Sequence, residues 1–110
     1  NWFSSKGAWD SSCQTEITNM FTRLNNTFVS KGVPVVIGEY GTHGDNSVSK
    51  SSTDTQKQAA ADQAADIVKK AKALGIATFY WMSIFQDADR TVPQWTLPIV
   101  VEAMNKAYNE

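Results

Sequence analysis

One cysteine in 110 residues is too few for an internal disulfide or for a thiolate metal cluster. Cys13 therefore reads as a buried or half-buried thiol near a helix start. Histidine is equally scarce: His43 stands alone, which excludes a His-x-x-x-His zinc site and leaves room only for a lone general base. No metal or other cofactor is called for. Excess charge is missing as well, since ten Lys and Arg face eleven Asp and Glu and Lys and Arg are not gathered on one face. A nucleic-acid partner is not expected from that balance. No apolar run approaches the roughly 20 residues that span a bilayer, and no charged-then-apolar leader opens the chain. A soluble or already processed chain, with no membrane partner, is the expectation. The 42% apolar and 19% charged composition is that of at most one small globular domain.

What the chain does have is Pro34 to Gly41, reading Pro-Val-Val-Ile-Gly-Glu-Tyr-Gly. Val35, Val36 and Ile37 are consecutive β-branched residues, as in a parallel strand buried on both faces. Glu39 closes that run. A carboxylate in an apolar setting needs a partner or a task, because desolvating its charged form is costly. Gly38 and Gly41 flank it and would allow a ligand or a second backbone to come close. A strand-end Glu paired with an Arg or Lys fits these residues equally well.

In chain order, Asn1 to Ser12 is polar and aromatic and reads as loop. From about Cys13 to Ser30, Ile17, Met20, Phe21, Leu24 and Phe28 fall on one helical face. Gly32 ends it, and the Asn25-Asn26-Thr27 sequon is expected to lie mid-helix and unused. After the Glu39 strand, Thr42 to Ser52 is a long surface loop rich in Gly, Ser, Asp and Asn. Thr53 and Gln56 have capping-box spacing, opening a helix with Ala60, Ala64, Ile67, Val68, Ala71 and Leu74 on its apolar stripe. Lys69, Lys70 and Lys72 read as its solvated end before Gly75. Ile76 to Met82 is a second strand, Ser83 to Trp95 a second long connection, and Thr96 the expected cap of a last helix carrying Pro98 in its first turn.

Turns into each strand are short, and loops out of each are long. In α/β folds, and in (β/α)8 barrels above all, ligands gather in the loops at the carboxyl ends of the strands. Glu39 and Trp81 both sit there. Two parallel strands with apolar faces cannot satisfy their own edges, however, so neighbours must come from elsewhere. The chain is expected to be the last part of a larger sheet or barrel, beginning inside a loop at Asn1.

Val35-Val36-Ile37-Gly38-Glu39-Tyr40-Gly41 resembles the strand-seven signature of glycoside hydrolase family 5, the cellulases. Thr78-Phe79-Tyr80-Trp81 resembles the family's strand eight, and Asp87-Ala88-Asp89-Arg90 with Val92-Pro93-Gln94-Trp95-Thr96 looks like the bacterial endo-β-1,4-glucanases. The resemblance implies an α/β fold in which residues 1–110 form the carboxyl-terminal part of one catalytic (β/α)8 TIM barrel, from helix six to helix eight. It implies Glu39 as the nucleophile of a retaining glycosidase, Trp81 as a sugar platform, a β-glucan substrate, and a secreted or cell-surface location. Tyr40 and His43 are further candidates for substrate contact. Met82 and Ser83 stand where many relatives carry an Asp-Asn or similar pair. The family's acid/base Glu, in an Asn-Glu-Pro motif, has no counterpart in the sequence, so the amino-terminal part of the same enzyme, strands one to six, is an implied partner.

Trp2, Trp9 and Trp95 are expected to pack helices against the barrel, and Asp87, Asp89 and Arg90 to brace a loop through ion pairs. Two functional classes follow: an endo-β-1,4-glucanase segment, or a non-catalytic carbohydrate-binding or assembly fragment that is inactive without the rest of a barrel. Folding and hydrolysis only with added strands would favour the first. A folded monomer that binds sugar and cleaves none would favour the second.

Overall fold

The structure is a computed structural model, and it describes residues 8–42, 48–81 and 94–110. It contains helix α1 (Ser11–Thr27), strand β1 (Val36–Tyr40), helix α2 (Asp54–Ala73), strand β2 (Ala77–Tyr80) and helix α3 (Pro98–Asn109), with one 3-10 turn at Val29–Lys31. The strands are adjacent and parallel.

Helix α1 starts two residues earlier than its apolar periodicity suggests, because Asp10 caps it. The Asp10 carboxylate accepts from the Ser12 amide at 3.0 Å, the Ser12 hydroxyl at 2.7 Å and the Cys13 amide at 3.1 Å. Hydrogen bonds from Ser12 and Cys13 to the charged form hold its pKa at about 2. Cys13, Ile17 and Phe21 are buried along one side. The helix ends at Thr27, since Phe28 turns to φ −127° and Gly32 closes the 3-10 turn at φ +78°, a left-handed value that glycine reaches without strain. Phe28 is therefore exposed, and the sequon lies in the last turn of α1 rather than at its middle.

Helix α2 begins with the expected capping box, in which the Thr53 hydroxyl accepts from the Gln56 amide at 3.2 Å and the Gln56 side chain accepts from the Thr53 amide at 2.9 Å. Its alanines are buried on two sides. Ala59, Ala60, Ala61 and Ala64 share a cluster with Val48, Leu97 and Val100. Ile67 and Ala71 share a second one with Trp9, Cys13, Ile17, Phe21 and Ile76. Small side chains let α2 sit close to α3 while its far edge meets α1.

The lysines at the end of α2 are not simply solvated. Lys69 pairs with Glu110 at 2.8 Å, Lys70 with Asp66, and Lys72 donates to the Tyr108 carbonyl and lies 5.1 Å from the centre of the Tyr108 ring. Lys69 and Lys72 join the last turns of α2 and α3, while Lys70 pairs within α2. Helix α3 departs from expectation at its start, because the capping position is Leu97, not Thr96, and no side chain caps it. Pro98 at the first turn removes one of the amides that would need an acceptor, and the fully buried Leu97 anchors the corner.

Burial of the strands is one-sided. Ile37 and Tyr40 pack on the helical clusters, whereas Val36 and Phe79 are 59% and 58% exposed. The expectation of burial on both faces fails because no other element among the described residues covers the second face.

Candidate active site

Both strands deliver their carboxyl ends to the same edge, and the pairing there is irregular. Val36 pairs with Ala77 and Ile37 with Thr78, but the next pair is Tyr40 with Tyr80. Three steps along β1 thus match two along β2, a β-bulge at Gly38-Glu39. Unbroken alternation from Ile37 would send Glu39 toward the helices and Tyr40 to the open face. The extra residue reverses both. Tyr40 packs against the helical clusters, and Glu39 is exposed on the open side with Val36 and Phe79.

Trp81 follows β2 directly and is 52% exposed, in phase with Phe79 on the open face. Its amide donates to the Tyr40 carbonyl at 2.8 Å, one rung beyond the strand pairing. Gly41 lies against the same peptide, since a Cβ placed there would be 3.0 Å from the Trp81 carbonyl oxygen and 3.5 Å from Tyr80 Cζ. Its φ of +156° is one that residues with side chains rarely adopt.

Beneath this edge two tyrosines form a support. The rings of Tyr40 and Tyr80 meet edge to face, 5.2 Å apart at 82°. The Tyr40 hydroxyl donates to Met104 Sδ at 3.2 Å, and burial pushes its pKa up to about 12. The Tyr80 hydroxyl is buried without a hydrogen-bond partner among the described residues. Burial raises its pKa too, and the Thr42 hydroxyl tempers the rise. Thr42 is buried, its hydroxyl accepting from the Val48 amide at 3.0 Å.

The residues singled out in the sequence divide accordingly. Glu39 and Trp81 come together on one exposed edge. Tyr40 does not join them on that edge; its side chain packs between helix and strand. Trp9 packs as expected, 7% exposed with its indole N–H on Asp66 at 3.2 Å. Trp95 does not, being 46% exposed. His43, Trp2, Met82, Ser83, Asp87, Asp89 and Arg90 lie outside the described residues. Tyr80 and Thr42 were not singled out. A period-two reading of β2 could have found Tyr80, because it places Tyr80 opposite Phe79 and Trp81.

A parallel β-α-β unit flanked by helices, with a carboxylate and an indole at the carboxyl ends of its strands, fits a segment of a (β/α)8 barrel. The cellulase family, glycosyl hydrolase family 5, matches residues 1–87, and the chain belongs to that family. The family 5 glycoside hydrolase of Prevotella bryantii, solved with a xyloglucan tetradecasaccharide, is 54% identical with a TM-score of 0.90 over 99% of this chain and 32% of its own. A broad-specificity endoglucanase from an uncultured bacterium is 39% identical at a TM-score of 0.76, over 91% of this chain and 27% of its own. Endoglucanase B of Paenibacillus lautus is 52% identical over 33 residues, 30% of this chain and 6% of its own length. The chain thus spans about a third or less of these relatives.

Proposed function

We propose that this chain supplies strands seven and eight, with helices six to eight, of a retaining endo-β-1,4-glucanase in which Glu39 is the nucleophile. The observation that carries the reading is the bulge that turns Glu39 to the open face beside Trp81. In a barrel that face is the interior and upper rim, where substrate lies. The Glu39 carboxylate attacks the anomeric carbon and forms a glycosyl ester while a second carboxylic acid, about 5 Å away, protonates the departing glycosidic oxygen. That second group then takes a proton from water, which cleaves the ester and restores Glu39. It is contributed by a part of the enzyme outside this sequence, so the 110 residues alone are inactive.

Trp81 offers its indole as a flat apolar platform for a pyranose ring. Exposed Val36 and Phe79 become core once further strands pair with β1 and β2. Xyloglucan and related β-1,4-glucans are the substrates this reading favours, supported by the oligosaccharide bound to the Prevotella relative. A secreted or cell-surface location suits polymers of that size.

The test is a chimera in which residues 1–110 replace the matching third of the Prevotella bryantii enzyme. It should hydrolyse xyloglucan with retention of configuration. Glu39→Gln should lower turnover by several orders of magnitude with an unchanged melting temperature, and a 2-fluoro glycoside should label Glu39. Substantial turnover by Glu39→Gln would sink the assignment.

A further inference from the structure

Glu39 sits in a stretch that has no regular rung of its own. The ladder fixes Ile37 on one side and Tyr40 on the other, and the two residues between them share a single opposing position on β2. The location of Glu39 relative to Trp81 is therefore set by whatever holds the far end of the bulge.

That holding point is compact. The Trp81 amide donates to the Tyr40 carbonyl at 2.8 Å, and the next residue, Gly41, faces the Trp81 carbonyl with only the room its missing Cβ leaves, 3.0 Å. The Tyr80 ring lies on the same side, with Cζ at 3.5 Å and Cε1 at 3.6 Å from that Cβ position. Both polar groups of the Trp81 backbone thus lie against Tyr40 and Gly41. Any side chain at Gly41 would have to push the end of β2 away or rotate the peptide out of φ +156°. Either movement changes the spacing between Glu39 and Trp81.

We infer that Gly41 is a positioning residue for the reaction: it lets the end of β1 close onto the backbone of Trp81, and so fixes the carboxylate against the indole platform. The inference rests on the proposed role of Glu39. A displacement of about 1 Å at a reacting group is enough to cost on the order of a hundredfold in rate. Gly75, at φ +68° with nothing within 4 Å of a Cβ, provides the contrast. A side chain there meets backbone strain alone, at the entry of β2 away from the site.

The experiment compares Gly41→Ala, Gly75→Ala and Glu39→Gln in the chimeric enzyme, reading kcat and KM on xyloglucan together with melting temperature. Gly41→Ala should lower kcat roughly ten- to hundredfold while KM moves less than about threefold. Gly75→Ala should lower the melting temperature and leave kcat within about twofold. If Gly41→Ala does not fold, Tyr80→Leu, which removes the ring from the same contact, should lower kcat at least about fivefold with KM held. A kcat within twofold of the parent for the folded variant, or an equal loss in Gly75→Ala, overturns the positioning role. If Glu39→Gln stays active, the nucleophile assignment has failed instead, and the two failures are told apart.

Discussion

The amide of Trp81 donates to the carbonyl of Tyr40 at 2.8 Å, so the candidate platform is tied by its backbone to the residue next to the candidate nucleophile. Two side chains that face solvent here are held by main chain that does not. The arrangement separates what each side chain is worth to folding from what it is worth to a bound sugar.

Trp81→Ala should accordingly be cheap for the fold. At 52% exposure its loss falls well short of the roughly 3 to 5 kcal/mol expected for a buried tryptophan. In the chimera it should cost about 1.5 to 3 kcal/mol of transition-state stabilisation, on the order of ten- to hundredfold in kcat/KM. Parallel melting curves and kinetics decide, and a large drop in melting temperature at unchanged specific activity would reject the platform.

Tyr80→Phe should leave stability unchanged or raise it by up to about 1 kcal/mol, because it removes a buried hydroxyl that lacks a partner among the described residues. Tyr40→Phe deletes a hydrogen bond to Met104 instead and should be slightly destabilising. Urea melts of the pair give the comparison. A marked loss in Tyr80→Phe would reveal a partner for that hydroxyl.

Ile17→Ala should cost about 2 to 5 kcal/mol, since the side chain is wholly buried among Trp9, Cys13, Phe21 and Ile67. Chemical denaturation of the chimera measures it. A cost below about 1 kcal/mol would mean that α1 is not seated on α2 as described.

Asp10 predicts an acid dependence. Its folded-state pKa of about 2 lies below the ordinary 3.8, so the carboxylate's stabilisation of α1 is complete above 3.8 and is lost as pH falls through about 2. The stability gap between the parent and Asp10→Ala should be constant near neutrality and narrow over that acid window. A gap that widens on acidification would contradict the cap.

Much of this could be read from residue order, for reasons particular to each place. Thr53 and Gln56 cap α2 through contacts three residues apart, and a local contact leaves a local signature. The order of helices and strands followed from apolar periodicity, and the family from the spacing between Gly-Glu-Tyr-Gly and the tryptophan strand. The bulge was not legible. It exists only as a mismatch between two strands some forty residues apart, and no count along β1 alone exposes it. The facing of Tyr40 was not legible for the same reason, because it depends on that extra residue. Thr96 was chosen as a cap by residue type, but the buried side chain of Leu97 and the ring of Pro98 fix the start of α3 one residue later. The Asn-Glu-Pro motif that the resemblance ties to the acid/base Glu is a different matter, having no counterpart in the sequence.

The Ala-lined seam between α2 and α3, pinned at its far end by Lys69 with Glu110 and Lys72 with Tyr108, leaves almost no freedom at the base of this segment. The connections that leave β1 and β2 span residues 41–53 and 81–97. Among their described residues Thr42, Val48 and Leu97 are buried, and Val48 and Leu97 belong to the cluster that fills this seam. The rims beside Glu39 and Trp81 are therefore rooted in the foundation beneath them. A lineage that trades those rims has to keep these three anchors.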